Sequence, residues 1–273
     1  LEPARLLRIA HGTLGAPLRW GYTAASEVEI AGATALSRLA PKPVTSVPDL
    51  TVIGETFERS ANARRMVSTL RRVFDGPIVI ADDSSTPLTW DVPGVISVTL
   101  PFDSGVAAGR NAALEQVNTE FVMSVDDDFV FTPELDLNRV VEYLRRNAEV
   151  DLVGGLVINL PLWQAPDHSQ AKLFAYHGHP VHPAGTIIDG LPVLYKVPQF
   201  FTARTDRLRL VQWDDRLKRV DHNDFFTRAY GVLVTVYDKR FYCLHAQPKF
   251  NRHYQSFRRD YGADLQYLGE KWG

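Results

Sequence analysis

The chain has 273 residues, 45% of them hydrophobic and 23% charged, and a formal net charge of -2. That length buries a sizeable core in one large α/β domain or two small ones, one being the simpler reading, and the near-neutral balance gives no support for nucleic-acid binding. Cys243 is the only cysteine, which excludes an internal disulfide or a thiolate cluster and favours a reducing, cytoplasmic compartment. No run of about 18 apolar residues exists, so no membrane span is expected. The chain begins at Leu1 without a methionine, which points to a trimmed chain or a domain of something longer.

Residues 1–48 carry Gly12, Gly15, Pro17, Gly21, Gly32, Pro41, Pro43 and Pro48 between short apolar pieces with no sustained period, and are expected to be a lead-in that packs on the main domain, 49–273. From Asp49 the pattern changes. Leu50-Thr51-Val52-Ile53 is a short β-branched run, and Met66, Val67, Leu70, Val73 and Phe74 then share one helical face. Gly76-Pro77 ends that helix, Ile78-Val79-Ile80 forms a second strand, and Asp82-Asp83-Ser84-Ser85 stands beyond its end. Residues 95–100 read as a third strand and 105–117 as a helix. The fourth strand, Phe121-Val122-Met123-Ser124-Val125, runs straight into Asp126-Asp127-Asp128.

A helix over 134–148 and a strand over 151–158 follow, then an irregular stretch, 161–190, rich in Pro, Gly and His. A loop that long is usually functional or disordered. The second half reads as a strand over 193–203, a turn at Trp213-Asp214-Asp215, a short helix from His222 and a strand over 232–237. A tail then interleaves Lys249, Arg252, Arg258 and Arg259 with Phe250, Tyr254, Phe257 and Tyr261. Alternating strands and helices imply a Rossmann-like, mostly parallel sheet with flanking helices, in which ligands gather beyond the carboxyl ends of the strands.

Three carboxylates at the end of a buried strand repel one another and lose hydration unless a cation or hydrogen-bond donors compensate. Alternation along an extended backbone lets Asp126 and Asp128 face one pocket while Asp127 faces away. Hard oxygen ligands select magnesium or manganese, commonly with substrate phosphates completing the shell, which suits a nucleotide diphosphate. A solvated helix cap and an aspartyl-phosphate phosphatase, with Asp126 as nucleophile and Asp128 as acid, are the alternatives. Beyond other strand ends, Glu55, Thr56 and Asp82 or Asp83 can accept hydrogen bonds from a base and ribose, and Arg110, beside Gly109, can orient Asp126 or meet the nucleotide.

The blocks Val79-Ile80-Ala81-Asp82-Asp83-Ser84, Ala108-Gly109-Arg110-Asn111, Val125-Asp126-Asp127-Asp128-Phe129-Val130-Phe131-Thr132 and Asp151-Leu152-Val153-Gly154-Gly155 occur in that order. Phe200-Phe201-Thr202-Ala203-Arg204-Thr205-Asp206 and Asp215-Arg216-Leu217-Lys218-Arg219-Val220 with Phe225-Phe226 follow. Together they resemble the catalytic domain of the β-1,4-N-acetylgalactosaminyltransferases over residues 50–247. The resemblance implies a GT-A fold: a nucleotide-sugar half over 49–132, a smaller acceptor and catalytic half over 133–247, and a basic tail or lid over 248–273. It also implies an inverting, metal-dependent transfer from a UDP-sugar to a glycan or glycoconjugate acceptor, N-acetylgalactosamine being the favoured sugar. A removed anchor would then place the protein in the Golgi lumen.

The same resemblance puts Asp128 as chief ligand of Mn²⁺ or Mg²⁺, Asp126 on the ribose or, through water, on the metal, and His245 as their counterpart late in the chain. Asp224, in Val220-Asp221-His222-Asn223-Asp224-Phe225, stands where related sugar transferases place the base, with Asp221 competing. Arg252, His253, Arg258 and Arg259 either close over the diphosphate or form a solvated basic helix, and Trp163, His168, Tyr176, His177, His179 and His182 either offer faces and edges to a sugar, pack the loop or bind an adventitious metal. The matches weaken over 160–195 and after Gln247. A non-catalytic carbohydrate-binding domain of the same fold is the other reading.

Overall fold

The computed structural model describes residues 15–39, 47–169, 171–174, 179–247 and 251–273. In chain order its first half holds α1 (Ala16–Leu39), β1 (Leu50–Thr56), α2 (Ser60–Leu70), β2 (Ile78–Asp82), β3 (Val95–Thr99), α3 (Val106–Glu115), β4 (Phe121–Asp126), β5 (Phe129–Val130), α4 (Leu137–Arg146) and β6 (Leu152–Asn159). There follow β7 (Ile187–Ile188), β8 (Leu191–Pro192), β9 (Phe201–Arg204), α5 (Thr205–Val211), α6 (His222–Ala229), β10 (Thr235–His245), α7 (Arg252–Arg258) and α8 (Gly262–Trp272).

Among the described residues, eight strands make one sheet in the order β3-β2-β1-β4-β9-β6-β10-β5, and β7 and β8 pair as a separate small hairpin. The pairs β1 with β2, β2 with β3, β1 with β4 and β6 with β10 are parallel, whereas β9 runs antiparallel between β4 and β6 and β5 antiparallel to β10. This is the mixed α/β, mostly parallel sheet of a GT-A fold.

Strand alternation divides the core between the two faces. Leu50 and Val52 of β1, Ile78 and Ile80 of β2, and Met123 and Val125 of β4 pack with Met66, Val67 and Leu70 of α2 and Val140, Val141 and Leu144 of α4. Ile53, Val79 and Val122 face the other way, toward Ala107, Ala113 and Leu114 of α3 and Phe225 and Phe226 of α6. Helix α4 shows why such a segment is helical: Leu137, Val140, Val141 and Leu144 recur on one face, and the Asp136 carboxylate caps the start by accepting from the Arg139 N–H at 3.0 Å.

Two expectations fail for physical reasons. The lead-in contains a continuous 24-residue helix, α1, despite Gly21 and Gly32. A glycine inside a helix costs about 1 kcal/mol relative to alanine. Here packing offsets it: Ile30 and Ala33 sit against Val130, Leu160, Leu244 and Ala246. In the second half, residues 193–200 are not strand, and β9 begins only at Phe201. Pro198 cannot donate to a ladder, and Val197 packs over Gly154, where a Cβ would fall 2.4 Å from the Val197 Cβ. Strand β10 runs eight residues past Tyr237, to His245, through a register shift between Asp238 and Tyr242. No described helix is long and apolar enough to cross a membrane.

The parallel strands end on one rim, and the residues that end them are Thr56, Asp82, Thr99, Asp126, Asn159 and His245. Antiparallel pairing of β5 with β10 sets Phe129 opposite His245, which brings His245 against the acidic run 117 positions earlier.

Candidate active site

Beyond that rim lies a cleft of about 320 Å³ whose walls come from both halves of the chain. Its floor is the acidic run, and the three aspartates take three different partners. Asp126 accepts from the Arg110 guanidinium at 2.7 Å. Asp127 is 1% exposed, accepts from the Thr56 hydroxyl at 2.7 Å and is ion-paired to Arg59. Burial, working against the Arg59 charge, pushes its carboxyl up to about 7.

Asp128 is 3% exposed, and its Oδ2 accepts from Arg59 at 2.8 Å. Its Oδ1 makes no hydrogen bond of good geometry and lies 3.2 Å from His245 Nε2. Burial opposes ionisation of Asp128, but His245 and Arg59 overcome it and hold the carboxyl well below the usual carboxylate range. Burial likewise opposes a charged His245, and Asp128 reverses this and raises it. His245 Nδ1 lies 2.7 Å from the Asn159 side-chain oxygen. With Nδ1–H donating there, a neutral ring turns its Nε2 lone pair toward Asp128 Oδ1, so a proton or a cation must stand between the two.

Arg59 holds the run together from the loop after β1. Its guanidinium reaches both Asp127 and Asp128 and lies 4.1 Å from the centre of the Tyr254 ring in α7. Arg110 is the second organiser, joining Asp126 to Asp221 at the start of α6 and resting 5.8 Å from the Trp213 ring centre. Gly109 lets α3 approach β1: a Cβ there would fall 2.5 Å from Glu55 Cγ. Glu55 itself is raised well above an ordinary carboxylate by burial and by the Asp83 and Asp127 charges. Asp83, raised by burial, accepts from the Gly105 N–H at 2.8 Å. Lys218, Arg219 and Arg258 add positive charge to the cleft wall, and His222 Nε2–H donates to the Val197 carbonyl, 2.8 Å away.

The model of "Glycosyl transferase family 2" matches residues 51–208. The chain belongs to that family. It is 37% identical over 200 residues to "Beta-1,4 N-acetylgalactosaminyltransferase 1" of Rattus norvegicus, covering 67% of this chain and 36% of that protein. It is 33% identical over 202 residues to "Beta-1,4 N-acetylgalactosaminyltransferase 2" of Mus musculus, covering 71% and 39%. The chain therefore spans little more than a third of these relatives. Among solved structures, S. aureus TarS 1-349 in complex with UDP-GlcNAc superposes with a TM-score of 0.54 at 17% identity, over 81% of this chain and 66% of that one. This last likeness is one of fold.

Within the family frame, the sequence-derived residues sort unevenly. Glu55, Asp83, Arg110, Asp126, Asp128 and His245 all line the cleft. Asp82 and Thr56 do not. Asp82 caps its own turn, accepting from the Ser84 and Leu88 N–H groups at 2.9 and 2.7 Å, and Thr56 is used up on Asp127. Asp224 also lies off the cleft: it is fully buried and accepts from Arg228 Nε at 2.7 Å and Trp272 Nε1 at 2.8 Å, with Lys271 Nζ 2.7 Å away. Its competitor Asp221 lines the cleft, with burial raising its carboxyl against the pull of Arg110.

Of the tail, Arg258 lines the cleft, while His253 bonds Glu58 at 2.8 Å and Arg259 is exposed; the Arg252 side chain lies outside the described residues. Of the irregular stretch, His168 lines the cleft, Trp163 is exposed, His179 does not line it and His182 pairs with Glu149 at 3.1 Å; Tyr176 and His177 lie outside the described residues. Sequence reasoning missed Arg59, Asn159 and Gln199. A signal existed for the first two, since each lies within three residues of the end of a parallel strand.

Proposed function

We propose that this chain carries a sugar-transfer centre that moves a hexose, N-acetylgalactosamine being favoured, from a UDP-sugar to a hydroxyl of a glycan or glycoconjugate, with inversion. The observation that carries this reading is the buried Asp128 Oδ1, short of a hydrogen bond and facing His245 Nε2, at the foot of a cleft lined by Arg59, Lys218, Arg219 and Arg258. The two atoms fit a divalent cation, manganese or magnesium. Among the described residues no group of three His, Cys, Asp or Glu is arranged to hold an ion alone, which suits an ion that shares its shell with a diphosphate. Bound there, the cation would offset charge on the departing diphosphate.

The chain's own groups supply the rest. Glu55 and Asp83 are placed for the base and ribose, and Arg110 fixes Asp126 beside them. Asp221 takes the base role in place of Asp224, because it is the one of the two that lines the cleft. The acceptor oxygen bonds to the anomeric carbon, the bond from that carbon to the β-phosphate oxygen breaks, the hydroxyl proton passes to the Asp221 carboxylate, and UDP leaves. The names of the relatives, β-1,4 transferases, and the UDP-GlcNAc bound by TarS support the substrate class. The phosphatase alternative loses ground because the matching family and the relatives named above are glycosyl transferases.

Calorimetric titration tests the site. UDP is expected to bind more tightly with manganese present, and Asp128→Ala to weaken that metal-dependent affinity by roughly 10- to 100-fold. Wild-type protein whose UDP affinity ignores manganese would sink the metal assignment, and absence of UDP binding would sink the whole reading. Manganese-dependent hydrolysis across a panel of UDP-sugars then ranks the donors.

A further inference from the structure

Gln199 is 8% exposed and lines the cleft, yet neither its Nε2 nor its Oε1 has a hydrogen-bond partner. Among the described residues no other side-chain amide is buried with both ends unmatched. A buried amide in this state is costly, and packing alone would favour an apolar residue of the same size.

The backbone that presents it is held on both sides. Next in the chain, the Phe200 ring packs at 4.2 Å from Phe241 and 5.8 Å from Phe129, and its carbonyl accepts the Gly155 N–H at 2.9 Å. Before it, the Val197 carbonyl meets His222 Nε2. These contacts also locate the amide. Phe129 packs edge-on against His245, 5.6 Å away, and His222 is the neighbour of Asp221. Gln199 thus stands between the diphosphate end of the cleft and the base. Strand pairing sets the start of β9 beside the acidic run: Phe201 pairs with Ser124, two residues before Asp126, and Gln199 precedes Phe201 by two residues in the chain.

Under the reading given above, on which this step rests, the group between diphosphate and base is the transferred hexose. We infer that Gln199 reads that hexose, its amide donating to and accepting from a pair of hydroxyls or a hydroxyl and an acetamido group, and so selects the donor sugar. A diphosphate is a poor match for it, since the carbonyl end repels phosphate oxygens and the neighbouring cations already serve that role.

The test compares UDP with UDP-N-acetylgalactosamine, each titrated in manganese into wild-type protein, Gln199→Leu and the similarly shaped, uncharged Gln199→Met. The expected result is UDP affinity within about twofold of wild type in both variants, UDP-sugar affinity lowered about tenfold, and an altered ratio of kcat/KM between UDP-hexoses with and without the acetamido group. The melting temperature of Gln199→Leu should be unchanged or higher, because an unmatched amide is gone. Retention of the wild-type advantage of UDP-sugar over UDP overturns the inference, as does a rise confined to the acceptor KM. Parallel loss of UDP affinity and melting temperature also overturns it, marking Gln199 as structural. Failure of wild-type protein to bind UDP is a separate outcome that removes the parent reading and this inference together.

Discussion

Asp128 and Asp224 are both buried carboxylates faced by cations, yet they are finished differently. Around Asp224 every oxygen is spoken for, by Arg228 on its own helix and by Trp272 and Lys271 on α8. That arrangement ties the C-terminal helix to α6 and keeps the carboxylate out of the cleft. Around Asp128 one oxygen is satisfied by Arg59, and the other looks at an imidazole nitrogen fixed in orientation by Asn159. Burial and charge are the same in kind at both places. What separates a reactive site from a strut is unused bonding capacity aimed into a cleft, and Gln199 shows that capacity in neutral form.

Substitutions at α6 can break this distinction. Asp221→Asn removes the proposed proton acceptor while keeping a hydrogen bond to Arg110, so kcat should fall by roughly 10²- to 10⁴-fold with UDP affinity within about twofold. Turnover close to wild type would end the assignment. Asp224→Asn should act on the fold instead, leaving Lys271 and Arg228 undercompensated at a cost of about 2 kcal/mol, or roughly 5 °C in melting temperature. UDP affinity of the folded protein should hold. If that variant melts normally but no longer transfers sugar, Asp224 is the base after all and the comparison drawn above collapses.

The two halves were not equally legible from sequence. Strands β1, β2 and β4 announce themselves by β-branched runs, and their ends point at Glu55, Asp83 and Asp126, because parallel strands deliver their C-terminal residues to a common rim. Arg59 escaped notice because it sits in a loop and its partners, Asp127 and Asp128, come 68 and 69 positions later. Asp221 and Asp224 are three residues apart at a helix start, and sequence cannot say which one faces the cleft. That was decided by α8, nearly fifty residues on. Helix α1 was hidden by its glycines, since the packing that overrides their propensity comes from β5, β10 and the turn at Leu160. Gln199 carried no signal, because an amide is conspicuous only when its surroundings leave it unmatched.

His222 gives a smaller and slower test of the same cleft. Burial, reinforced by the Lys196 charge, pushes its imidazole down to about 3, against the opposing pull of the Val197 carbonyl. Arg110 and His168 add to the depression, and Asp221 precedes it in the chain. An unfolded histidine titrates near 6.5. Above that value the ring is neutral in both states and its contribution to stability is complete. As pH falls below about 6.5 the unfolded chain takes up a proton that the fold refuses, so stability is lost progressively until the folded group titrates near 3. Allowing for the ring's partial exposure, the loss at pH 5 is ~1 kcal/mol. His222→Gln, whose amide can still donate to the Val197 carbonyl, should flatten this one component of the acid limb. The wild-type denaturant midpoint should therefore fall further than that of the variant as pH drops from 7 to 5, whichever protein is the more stable at pH 7. Parallel midpoints across that range would mean that His222 takes up a proton in the fold as readily as in the unfolded chain, and that this wall of the cleft is wetter than its packing against Phe226, 5.2 Å away, implies.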